Sequence, residues 1–132
     1  MKEPLFLGVD EVIEIHRDQL ERYGGQPGIL DMELLQSAVA MPAAGFGEDY
    51  LHSDIFEMAA AYLFHIVRNH PFVDGNKRTG AVAGLVFLMM NGIALHASEK
   101  SLEKMVRSVA DGKIDKAGVS AFFHKHGNHE RP

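Results

Sequence analysis

Apolar residues along this chain recur at helical intervals, and the intervals are broken by glycine and proline clusters. Val12, Ile13, Ile15, His16 and Leu20 lie near a 3.6-residue period, and Asp10 stands where an N-cap would, so a first helix is expected to about Tyr23. Gly24-Gly25-Gln26-Pro27-Gly28 stops it. A second helix is expected from about Asp31, its N-cap, to Met41, with Leu34, Leu35 and Val39 inward and Pro42 ending it. Residues 42 to 52 read as an irregular or hairpin-like loop. Ser53 or Asp54 then caps a third helix to about Asn69, whose apolar face is Ile55, Met58, Ala59, Tyr62, Leu63, Ile66 and Val67.

The fourth helix, about Asn76 to Met90, carries GAVAGLVFLMM, a run apolar all round, which predicts a central, buried helix closed by Asn91-Gly92. Ile93 to His96 suits a short strand. Ser98 caps a fifth helix to about Ala110, and a last helix is expected from about Asp115 to His124. The expected fold is therefore all-α, a compact bundle of about six helices around a buried central helix, with a short flap-like loop. Residues 1–126 read as one domain and 127–132 as a disordered tail.

Composition narrows the chemistry. The chain has 132 residues, enough for one core, and no cysteine, which excludes disulfides, thiolate metal sites and a cysteine nucleophile. No apolar stretch is long enough to span a bilayer, and the N-terminus lacks a secretory h-region, so no membrane association and a cytoplasmic location are expected. Net charge is −5, but residues 1–74 hold 13 acidic and 4 basic side chains, whereas residues 75–132 hold 5 and 9. The acidic first half argues against direct nucleic-acid binding.

The basic half opens in HPFVDGNKRTG, residues 70 to 80. Five polar or glycine residues, Asp74 to Arg78, precede the apolar run. The first N–H groups of a helix lack intrahelical partners and carry the positive end of its dipole, so this is an anion-binding end. Gly75 lets a phosphate approach the backbone, Asn76 can orient an oxygen through its amide, and Lys77 and Arg78 add positive charge. Asp74 would repel a phosphate unless Mg²⁺ lay between them. A neutral His70 could take a proton from an incoming hydroxyl. Phe72 would anchor the loop. Each residue alone reads as an ordinary cap or turn; the ordered string reads as a site for transferring a phosphate-containing group.

HPFVDGNKRTG resembles the Fic/Doc superfamily motif, HxFx(D/E)(G/A)N(G/K)R. RYGGQPGILDMELLQSAVAMP resembles the segment that Doc-type toxins carry before their flap, and GLVFLMMNGI their core helix. AMP-transferring members have glycine where this chain has Lys77, and a later arginine where it has Ala81. Both departures resemble Doc, the toxin of a type II toxin–antitoxin pair. The resemblance implies a protein kinase that uses ATP and Mg²⁺ to phosphorylate a protein hydroxyl, a threonine of elongation factor Tu in Doc, and so halts translation. It implies His70 as general base, Asp74 as Mg²⁺ ligand, Gly75, Asn76, Lys77 and Arg78 as phosphate-binding residues, and Phe72 as packing anchor. The loop from Phe46 to Leu51 takes the place of the flap.

The resemblance also implies a Phd-like antitoxin whose disordered tail folds on binding. SDIFE, Ser53 to Glu57, matches only the first five positions of the family's inhibitory motif, so control by a separate partner is expected. Two alternatives stay open: AMP transfer to a protein hydroxyl, and a non-catalytic module that binds the antitoxin. His124, His126 and His129 form HxHxxH, read as part of a frayed end, and His65 reads as a packed histidine of the third helix.

Overall fold

The computed structural model describes residues 3–129. Among them are six α-helices: α1 (Val9–Tyr23), α2 (Met32–Ala40), α3 (Ile55–Asn69), α4 (Asn76–Met90), α5 (Glu99–Ala110) and α6 (Lys116–His126). Four short strands form two antiparallel pairs: β1 (Gly45–Phe46) with β2 (Asp49–Tyr50), and β3 (Ile93–Leu95) with β4 (Gly127–His129). The all-α bundle expected from the pattern is the fold observed.

Most helix starts follow the expected caps. Asp31, Asp54, Ser98 and Asp115 each accept a hydrogen bond from the amide three residues on. α1 differs: it begins after Gly8, whose N–H donates to Glu11 Oε1 at 2.9 Å, and Asp10 lies within the first turn, where it complements the dipole. After α2 the chain makes a single 3₁₀ turn, Met41–Ala43, around Pro42. Leu34, expected inward, is 40% exposed, because Leu35, Ala38 and Val39 supply the buried face of α2.

The bundle is built around α3. All of Met58 to Leu63, together with Ile66 and Val67, are buried, and α4 lies along this helix. The central position expected of α4 is thus shared with α3, and the end of α4 emerges at Met89, 63% exposed. Close approach of the two helices depends on Gly80 and Gly84, one turn apart on α4. A Cβ on Gly80 would lie 2.8 Å from Val67 Cγ2 and 3.1 Å from the Leu63 carbonyl oxygen. One on Gly84 would lie 3.3 Å from the Ala59 carbonyl oxygen.

Two side chains moor the N-terminal segment to this core. The buried Tyr62 hydroxyl accepts from Leu7 N–H at 2.8 Å and donates to Leu7 C=O at 2.9 Å. Burial pushes the Tyr62 hydroxyl pKa up to about 12. Asn91 accepts from Leu5 N–H at 2.8 Å and donates to Leu5 C=O at 2.9 Å.

Part of the expected disordered tail is a strand. Residues 127–129 pair with β3, Leu95 opposite Gly127 and Ile93 opposite His129. The signal is long-range: an exposed edge of β3 supplies the partner that a Gly-Asn-His sequence lacks locally. Residues 130–132 of that expected tail lie outside the described residues. His124 and His126 are in α6, and His124 Nε2 lies 3.0 Å from Asp54 Oδ2. No group of three or more His, Cys, Asp or Glu among the described residues is arranged to hold a metal ion, and none of the helices is long and apolar enough to cross a membrane.

Candidate functional site

The site is built where α3 ends and α4 begins. α3 closes at His70, which adopts the left-handed conformation, φ 52° and ψ 54°, with its N–H on the Ile66 carbonyl. Glycine or asparagine usually fills such a cap. An L-residue there stores backbone strain, and among the described residues His70 is the one non-glycine with positive φ. Its side chain is exposed. The conformation turns the chain sharply into the loop 71–75.

That loop is pinned from beneath. Phe72 is fully buried. Its backbone is clamped by Asn76: Asn76 Oδ1 accepts from Phe72 N–H at 2.9 Å, and Asn76 Nδ2 donates to Phe72 C=O at 2.9 Å. The Asn76 side chain is 5% exposed and engaged in this clamp. The clamp uses one of the two Asn76 Nδ2 donors and one acceptor position of Oδ1.

The loop after α1 packs along the motif. Leu30 N–H and Asp31 N–H both donate to Pro71 C=O, and Val73 N–H donates to Gly28 C=O at 3.0 Å. Ile29 and Phe72 form an antiparallel bridge. Gln26 N–H reaches Asp74 Oδ2 at 3.1 Å, while Gly75 N–H donates to Asp74 Oδ1 at 2.9 Å. These bonds, that from Gln26 first, hold the Asp74 carboxyl below the usual carboxylate range, and Arg78 adds to the effect. Asp74 is thus a fixed, exposed anion.

Gly75 is the N-cap of α4, at φ 79°, and no side chain caps the helix. The first backbone N–H groups of α4 thus have no capping side chain, and the helix dipole lies behind them. Lys77 and Arg78 are both exposed on this first turn. The Arg78 guanidinium lies 4.3 Å from the ring centroid of Tyr23, a cation–π contact that steadies it beside the helix end. Phe72, Asp74, Gly75 and Asn76 are brought together by direct contacts, with His70 at the loop's entrance and the two cations at its exit. Two clefts of about 520 Å³ each are lined, one by Glu3, Ala43 and residues of the β1–β2 hairpin, the other by Phe64, Arg68 and residues between α5 and α6; neither is lined by a motif residue.

A family profile described as Fic/DOC family matches residues 6–88, which include all of this site. The chain belongs to the Fic/DOC family. It is 32% identical over 111 residues to "Protein kinase doc" of Escherichia phage P1, covering 84% of this chain and 86% of that one. It is 37% identical over 102 residues to "Toxin Doc" of Mycolicibacterium smegmatis, covering 75% and 78%. The resemblance to Doc-type members that the motif carried is therefore upheld across most of the Fic/DOC chain.

One neighbour of the motif escaped the sequence reading. His16 of α1 is 6% exposed, stacks on Phe72 with ring centroids 3.8 Å apart, and places Nε2 2.8 Å from the Asp74 carbonyl oxygen. A signal was present: His16 lies one turn after Val12 on the buried face of α1, and a buried polar side chain needs a partner. Nothing in the sequence says that the partner is 58 residues away. As for Mg²⁺, Asp74 suits it: each of its oxygens already accepts one N–H and keeps a free lone pair, and a Mg²⁺ ion commonly takes a single carboxylate and completes its shell with phosphate oxygens and water.

Proposed function

We propose that this Fic/DOC chain transfers the γ-phosphate of ATP to a protein hydroxyl, with elongation factor Tu as the target and a partner antitoxin as the restraint. The observation that carries the phosphate chemistry is the open N-terminus of α4. It is led by a glycine, capped by no side chain, and followed by two exposed cations. Triphosphate oxygens suit such an end, because the backbone N–H groups and dipole are already oriented and pay no reorganisation when charge develops.

In this reading His70 accepts the proton of the target hydroxyl as its oxygen attacks the γ-phosphorus and ADP leaves. The strained cap holds the imidazole outward at the loop entrance. Asp74 would hold Mg²⁺, which when bound neutralises charge on the phosphate oxygens. Lys77 and Arg78 would grip the phosphates, Arg78 from its seat on Tyr23. The names of the two relatives, one a kinase and one a toxin, support this choice, as do Lys77 and Ala81 in the places where AMP-transferring members differ.

The test is intact-mass analysis of elongation factor Tu after incubation with the chain, ATP and Mg²⁺, beside a His70→Ala control. The expected result is a gain of one phosphate that the control lacks. A gain of one AMP would overturn phosphoryl transfer while keeping the site, and no gain would overturn the choice of target. The antitoxin part is tested by affinity for the product of a gene adjoining this one; no measurable binding would refute it.

A further inference from the structure

We propose that His16 is a positioning residue: it locks the peptide plane between Asp74 and Gly75, so that the plane cannot turn its carbonyl oxygen toward a bound phosphate. This rests on the phosphoryl-transfer reading above. His16 lies outside the motif, on α1, and touches the motif loop twice. Its ring lies on Phe72, the planes 6° apart, and its Nε2 donates to the Asp74 carbonyl at 2.8 Å.

A peptide group is planar, so the C=O of Asp74 and the N–H of Gly75 form one rigid unit. Holding the oxygen sets the direction of the N–H. That N–H donates to Asp74 Oδ1 at 2.9 Å, so the His16 contact reaches the carboxylate through a single peptide plane. Gly75 is what makes a lock necessary. It sits at φ 79°, and glycine populates positive and negative φ about equally, so little intrinsic preference opposes rotation of the plane before it. A turned plane would present the negative end of a carbonyl dipole to an anion at the start of α4. It would also release the Asp74 carboxylate from the Gly75 amide. The ring lies against the Gly75 backbone: a Cβ on Gly75 would be in ordinary van der Waals contact with His16 Nε2, at 3.6 Å.

The two contacts are separable by substitution. His16→Phe keeps a flat ring on Phe72 and removes the donor. His16→Gln removes the ring and keeps an amide donor at a similar reach. The measurements are thermal midpoint, kcat and KM for ATP in transfer to the target, and amide hydrogen exchange at Gly75 and Asn76, all on the full chain. The expected result for His16→Phe is a midpoint near wild type, kcat lower by on the order of 100-fold with a smaller change in KM, and faster exchange at Gly75. His16→Gln is expected to melt earlier and yet to keep most of kcat and the slow exchange. Wild-type kcat and exchange in His16→Phe would overturn the lock, as would losses in both variants that merely follow stability. If His16→Phe does not fold, His16→Leu against His16→Gln gives the same comparison, with donor presence as the difference. Exchange is read without turnover. A wild-type chain that transfers no phosphate therefore refutes the proposed function, while unchanged exchange at Gly75 on loss of the donor refutes the lock.

Discussion

Asn76 grips the backbone of Phe72 at both polar atoms, donating to its carbonyl and accepting from its amide, each at 2.9 Å. The pair is buried, so neither Phe72 group has water as a substitute partner. This relationship joins the first turn of α4 to the loop that carries His70 and Asp74.

Asn76→Ala is therefore expected to damage stability and site together. Each orphaned Phe72 group costs about 1–3 kcal/mol, so the denaturation midpoint should fall clearly. Asn76→Asp should also be destabilising, since a carboxylate oxygen would replace the donor facing the Phe72 carbonyl. Chemical denaturation of the three proteins checks this. Wild-type stability in Asn76→Ala would show that the clamp is dispensable.

The α3–α4 contact makes an opposite prediction from helix propensity. Gly80→Ala should add up to about 1 kcal/mol of intrinsic helix preference. The new Cβ would meet Val67 and the backbone oxygen of Leu63, and the latter cannot rotate away. Overpacking of this kind costs about 1–3 kcal/mol, so net destabilisation is expected. A thermal midpoint at or above wild type would show that the helices can part at little cost.

His65 makes stability depend on pH. Its Nε2 lies 3.1 Å from Lys116 Nζ, and burial first, then Lys116 and His52, pushes its pKa down to about 4. In the unfolded chain a histidine titrates near 6.5. Between these values the unfolded state binds a proton that the folded state refuses. The stabilising contribution is therefore full above about pH 6.5 and is lost as pH falls toward 4. Burial lowers the pKa of His52 too, so it acts in the same sense. Denaturant titrations from pH 7 to 4.5 should show a shallower decline for His65→Gln than for wild type. Parallel curves would rule His65 out as the source.

Local signals carried much of this. Asp31, Asp54, Ser98 and Asp115 cap the helices because a side-chain oxygen and an amide three residues on are neighbours in any such turn. The apolar face of α3 was readable because one helix face repeats at a fixed spacing. The motif string was readable as a candidate anion site because the first N–H groups of any helix lack intrahelical partners. Asn76 was legible as a polar residue at that end, and its burial was not.

The amino-acid sequence by itself thus determined the helices, four of their caps, and the order His70, Asp74, Gly75, Lys77 and Arg78 around one helix start. Only the tertiary structure decided which distant partners the site has: Asp74 held by Gln26, Arg78 seated on Tyr23, His16 set under the loop, and β4 paired to β3. The physical reason is range. Caps and periodicity act over three or four residues, whereas these contacts join segments far apart in the chain, and the buried polar groups among them find partners only once the core has closed.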